Sequence, residues 1–260
     1  MKRNLSAAVI VVFALSILPG CKKTTHQDPA SPTSYYNPLQ VGKYAIYQLD
    51  SLTFYYYGQL DTLTHYLVKD SVEEAVIDNE GRPGWRVVRY LSNLSGTAPW
   101  TPSMSFWVTP TVQRIEVVEN NLRFIKLAFP VNEGISWSGN SFLPYAPFQD
   151  FFSDFSDITN HLDLHTWNYS YQNVNKPFTA GGQTYDSTVT VLQVDQSENV
   201  PILIETSLAS RTYWSETYAR NIGLVYRHTA IWEYQPPPPD GSRMGYKMGF
   251  EMTLTMLSHN

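Results

Sequence analysis

Three side chains have the type and spacing to grip a metal ion: His161, Asp163 and His165, in the run His-Leu-Asp-Leu-His. On a strand alternate residues share a face, so these three would project together while Leu162 and Leu164 project the other way. The same alternation spreads them along the strand, whereas zinc draws its ligands to within about 2 Å of one point. Two of the three reach one ion, and a further ligand has to come from elsewhere. A solvated polar face beside an aromatic segment explains the run more simply. Nucleophilic catalysis finds no Gly-x-Ser-x-Gly elbow, and the six histidines are scattered. Glu73 with Glu74, and Glu116 with Glu119, form carboxylate pairs by number only, because strand residues an odd number apart face opposite ways and do not act jointly. No glycine-rich phosphate loop opens a helix. A hydrolase in this sequence would have to draw its acids from separate strands.

The remaining reactive group is Cys21, the sole cysteine. Lys2 and Arg3 precede an almost unbroken apolar run, Leu5 to Leu18, which ends in Leu18-Pro19-Gly20-Cys21. The run is shorter than the roughly twenty residues a permanent membrane helix needs, and it has the length of a signal-peptide core. Its ending resembles the lipobox of bacterial lipoproteins, in which the chain is cut before the cysteine and the thiol takes a diacylglycerol. That resemblance implies a signal peptide over residues 1–20, lipidation at Cys21 and a palmitate-type anchor, with the membrane as first partner. Acyl chains contribute about 0.8 kcal/mol per buried methylene, so two or three hold a protein on a bilayer. Lys22 stands where an inner-membrane retention signal would carry Asp, which implies outer-membrane delivery. Lys22-Lys23-Thr24-Thr25-His26 separates the cysteine from any acid, unlike surface-export signals, and points to the periplasmic face.

Composition sets the class. Forty-three per cent of the 260 residues are hydrophobic and 16% charged, a profile that excludes a disordered chain. Loss of residues 1–20 leaves 16 basic against 23 acidic side chains, a net charge of -7. Nucleic acid is therefore not an expected partner. Residues 21–38 form the lipidated cysteine and a polar, proline-spaced tether. Residues 39–260 contain no second linker and are expected to form a single β-rich domain.

Within that stretch, short runs rich in Tyr, Phe, Val and Ile alternate with turn chemistry. Val41–Asp50 and Leu52–Tyr57 come first. Leu63–Ile77 and Trp85–Leu91 flank Asp78 to Gly84, a long turn. Phe106–Val118 and Leu122–Phe129 flank Asn120-Asn121, and Trp167–Ala180 and Gln183–Asp195 flank Gly181-Gly182, both residue pairs suited to the positive φ of a tight hairpin. Residues 213–220, 223–235 and 246–257 complete the set. In the second of these Leu224, Tyr226, His228, Ala230, Trp232 and Tyr234 share one face. The fold class is all-β, an antiparallel meander of ten or so strands with little helix, closed as a calycin-like barrel or packed as two curved sheets. Ser141–Asn160 is the one stretch left for a helical or irregular insert.

The segments FPVNEGISWSGN, WNYSYQNVNKPFTAGGQTYDSTVTVLQVD and ETYARNIGLVYRHTAIWEYQ, with the terminal LSHN, resemble a family of uncharacterised Bacteroidota lipoproteins. The resemblance implies a lipobox, a short tether, an opening like Asn37-Pro38-Leu39 and β structure throughout, with no known chemistry and no cofactor. Asp50-Ser51, Asp61-Thr62, Asp70-Ser71 and Asp186-Ser187 resemble O-glycosylation acceptors of exported proteins in that phylum, and Asp-Ser is also plain turn chemistry.

Seven Trp, eighteen Tyr and twelve Phe suit both a β core and sugar stacking. Trp100, Trp107, Trp137 and Trp167 are read as core, while Tyr55-Tyr56-Tyr57 would set rings on both faces of a strand. The expectation is a membrane-anchored envelope lipoprotein that is a non-catalytic binding or structural accessory for a glycan, lipid or protein. The alternative is an envelope hydrolase with acids from separate strands.

Overall fold

The structure is a computed structural model that describes residues 32–144, 147 and 164–260. Cys21, the apolar leader, His161, Asp163 and most of Ser141–Asn160 lie outside the described residues.

The chain opens with a short helix, α1 (Pro32–Tyr36), and continues as β1 (Tyr44–Tyr55), β2 (Leu60–Ile77), β3 (Pro83–Asn93), β4 (Thr101–Pro110), β5 (Arg114–Glu119) and β6 (Leu122–Ala128). After β7 (Ser136–Trp137) and a 3-10 turn (Leu164–Thr166) come β8 (Tyr169–Ala180), β9 (Gln183–Glu198), β10 (Ala209–Ala219), β11 (Gly223–Gln235) and β12 (Tyr246–His259). Every pairing is antiparallel.

The sheet order is β6-β5-β4-β3-β2-β1-β12-β11-β10-β9-β8-β7. The chain therefore starts mid-sheet, walks to one edge at β6, crosses to the other edge at β7 and meanders back until β12 pairs with β1. The two edges meet, so the sheet is an almost closed barrel. At the seam Ile125 N–H donates to Gly139 O (2.8 Å) and Trp137 Nε1–H donates to Ile125 O (2.9 Å). The Tyr171 hydroxyl donates to Ala128 O (2.6 Å) and accepts from Ala128 N–H (2.9 Å). Bringing the edges together removes the unpaired rows of backbone groups that an open sheet would expose.

Turn chemistry explains the hairpins. Asn120 and Asn121 have φ of 52° and 61°, and Gly181 and Gly182 have 58° and 77°, the left-handed pair that matches strand twist. The β8–β9 hairpin bends through shifts of register near Lys176 and lays its tip on β12. Phe178 stacks on Tyr226 with centroids 5.5 Å apart. A Cβ at Gly181 would stand 2.9 Å from Met256 O, whereas one at Gly182 would meet nothing within 4 Å. Gly181→Ala is expected to cost about 1–2 kcal/mol through the left-handed conformation plus this contact, and more than Gly182→Ala. Urea denaturation of the two variants measures the difference.

The segment before β1 packs on the barrel. Tyr36 is buried, Asn221 N–H donates to Tyr35 O, and the Arg220 guanidinium sits 4.2 Å from the Tyr35 ring. The end of the expected tether thus contributes core, because its two tyrosines find an apolar seat beside Leu39 and Leu224.

Candidate functional site

Strand alternation sends an unusual set of side chains inward. On β10, Trp214, Glu216 and Tyr218 point to the interior. On β11, Arg227 and Thr229 do so, and β6 contributes Phe124 and Lys126. Lys126 Nζ stands 2.9 Å from Glu216 Oε1, Arg227 Nε stands 2.9 Å from the same oxygen, and the Tyr218 hydroxyl donates to Glu216 Oε2 at 2.7 Å. Beside them Arg89 of β3 clasps Asp70 of β2 with two bonds of 2.7 Å, and Glu119 of β5 lies 4.0 Å from Arg89 Nη1. The side chains of Lys126 and Glu216 are 6% and 2% exposed.

Burial pushes the Glu216 carboxyl up, but Lys126 and Arg227 more than offset it and hold the group at about 2. The same burial raises Tyr218 well above its ordinary value, with the Glu216 charge acting in the same direction. Glu216 is therefore a fixed anion at neutral pH. Its negative charge anchors Lys126, Arg227 and the Tyr218 hydroxyl.

This polar bridge divides two chambers. The upper one, about 160 Å³, opens where α1 and the C-terminus meet and is lined by Asn37, Leu39, Tyr47, Asp70, Val108 and Asn260 among others. The lower one, about 300 Å³, lies toward the β5–β6 turn and is lined by Leu49, Val68, Met104, Phe124, Met252 and Leu254. Arg89, Glu119, Lys126 and Arg227 line both. Three buried polar atoms at the walls have no hydrogen-bond partner among the described residues, Asn37 Nδ2 above, Gln193 Oε1 below and Arg227 Nε between them. A concave apolar wall with a few convergent polar groups is the form of a small-molecule pocket.

The structure disperses the groups that looked chemical in the sequence. His165 is exposed in the 3-10 turn, with Nε2 3.0 Å from Pro144 O, so residues 164–166 are not the strand expected there. Among the described residues no three His, Cys, Asp or Glu are placed to hold a metal ion. A bulge between Val72 and Glu74 turns Glu73 and Glu74 both outward, where Glu73 meets Tyr90 and Glu74 meets Arg86. Glu116 and Glu119 do face opposite ways. Glu119 is interior, and Glu116 lies on the other face of the sheet, fully buried beneath Arg82 (2.7 Å), Arg114 (2.6 Å) and Arg123.

Tyr55 ends β1, and Tyr56 and Tyr57 occupy its turn at positive φ, exposed. Trp167 is core, and Trp137 stacks on Tyr171. Ser51, Thr62, Ser71 and Ser187 all sit within strands, not turns. Lys126, Glu216, Arg227 and Gln193 carried no motif. The one sequence signal for Lys126 and Glu216 is parity, a polar residue on the face of a strand whose neighbours two away are apolar, and Arg227 and Gln193 show it on one side only.

Among the described residues no helix is long and apolar enough to cross a membrane, which says nothing of strands. No family model matches the chain, and no curated protein matches it. Among solved structures, a protein from Bacteroides fragilis described as exported and of YmcC-like fold is 9% identical. The likeness covers 87% of this chain and 99% of that one, with a TM-score of 0.40. A domain from Vibrio parahaemolyticus described as outer membrane lipoprotein-sorting is 11% identical over 84% of this chain and 85% of that one, with a TM-score of 0.17. At these TM-scores neither likeness bears on what the chain does.

Proposed function

We propose that this protein is a lipid-anchored envelope lipoprotein whose barrel binds a small amphipathic ligand without transforming it. The observation that carries the reading is the interior itself, two apolar chambers sharing a wall of charged groups locked in ion pairs. Such a wall orients a ligand and holds Glu216 as a fixed anion at neutral pH. The ligand class is a molecule with an apolar body and a polar head, in keeping with a lipid partner.

The anchor is the diacylglyceryl thioether at Cys21, after loss of residues 1–20. Ten residues separate Cys21 from Pro32, so the barrel is tied close to the anchor. The upper chamber, beside α1, is then the end nearer the bilayer. The address is the outer membrane, on its periplasmic side.

Cys21→Ser is expected to move the protein from the membrane fraction to the soluble fraction, and unchanged fractionation would remove the anchor. For the pocket, a neutral apolar fluorophore such as N-phenylnaphthylamine should bind saturably and one-to-one. Absence of saturable enhancement would sink the ligand-binding reading.

A further inference from the structure

We infer that the lower chamber takes a single-chain amphiphile with a carboxylate head, seated on Arg227. This rests on the ligand-binding reading above and adds the charge of the ligand. A guanidinium carries five N–H donors in a fixed fork. Arg89 commits two donors to Asp70, but the Arg227 side chain makes no hydrogen bond to any described residue, although Glu216 lies 2.9 Å from its Nε. Its side chain is still 23% exposed while it lines both chambers. A half-buried cation with unused donors facing a void is a seat for an anion.

The charge of the wall selects a monoanion. Arg89, Lys126 and Arg227 are balanced by Asp70, which clasps Arg89, and by Glu119 and Glu216, so the wall has no surplus positive charge to hold a dianion and its one guanidinium with unused donors suits a single negative charge. A phosphomonoester carries close to two negative charges at neutral pH and a carboxylate carries one. Gln193 provides the independent sign of a ligand. The residue is buried with 3% exposure, its Oε1 has no hydrogen-bond partner, and it borders the chamber. An amide offers a donor or an acceptor by its orientation, so it completes the seat for a polar head. Beyond the seat, Leu49, Val68, Met104, Phe124, Met252 and Leu254 give the alkyl chain an apolar wall.

The test is displacement of N-phenylnaphthylamine from the purified protein at neutral pH by decanoate, decanol and decyltrimethylammonium, which share a chain and differ in head group. Decanoate should displace at a concentration lower by about tenfold or more than either of the others. In Arg227→Gln the displacing concentrations of the three, each relative to the variant's own fluorophore affinity, should come within about threefold of one another. That variant keeps Lys126 paired with Glu216, and the unsubstituted series needs no variant. Equal displacement by all three would overturn the carboxylate assignment and leave the pocket standing. Failure of the fluorophore to bind would overturn both.

Discussion

Glu216→Leu is expected to lower folding stability by about 3–5 kcal/mol, the cost of leaving buried charge without its partner. The leucine fills similar space but strands Lys126, 6% exposed, beside Arg227 in a low-dielectric interior, and it orphans the Tyr218 hydroxyl. Lys126→Met should cost less, because Arg227 still faces the carboxylate. Urea denaturation at neutral pH measures both, and a Glu216→Leu midpoint close to the parent's would contradict the bridge. The pH dependence has a definite sign. Glu216 is held at about 2 against its ordinary value of 4.5, so its contribution is complete above 4.5 and is lost as pH falls toward 2. Asp78, where burial is outweighed by bonds from Arg82 and from backbone N–H groups that lower it to about 2 from 3.8, adds to the loss between those two values. Stability should therefore decline through this acid range, with a shallower slope in Glu216→Leu.

Met252→Trp is expected to weaken fluorophore binding by about tenfold or more, because the indole occupies space in a chamber of about 300 Å³. Met252 is half-buried on β12 at the lower chamber, so the larger ring has void to enter and the urea midpoint should hold. Met244→Trp is the control. Met244 is 68% exposed in the β11–β12 connection, and a ring there should leave binding unchanged. If Met252→Trp binds as well as the parent, the fluorophore sits elsewhere, for instance on exposed Tyr56, Tyr57 or Leu203.

Much of the barrel was readable before any coordinates, because its hairpins are written locally. Asn120-Asn121 and Gly181-Gly182 turn where their conformational freedom says they should. Other local signals were outweighed by long-range pairing. Asp50-Ser51 looked like a break between two runs, yet β1 passes straight through it, since Asp50 takes His65 across the sheet at 2.6 Å and pairing with β12 continues on the other side. Tyr55-Tyr56-Tyr57 looked like strand, but the β1–β2 register places Tyr56 and Tyr57 in the turn.

The candidate site was not legible, and the reason is geometric. Alternation on β11 grouped Tyr226, His228, Ala230, Trp232 and Tyr234 correctly, whereas a bulge before Tyr226 turns Leu224 inward beside Tyr218, and periodicity alone does not say which face is inside. The aromatic set faces outward, where His228 and Trp232 share Glu251, and Arg227 faces in. Lys126 and Glu216 are 90 residues apart, so nothing in the neighbourhood of either announces the other.

The most direct test of an interior ligand site is methionine-methyl NMR during titration with decanoate. Met104 and Met252 line the lower chamber and Met244 is exposed outside it. Saturable shifts of the Met104 and Met252 methyls, with Met244 unmoved, are the predicted result. Shifts confined to Met244, or no saturable shift at all, would contradict it.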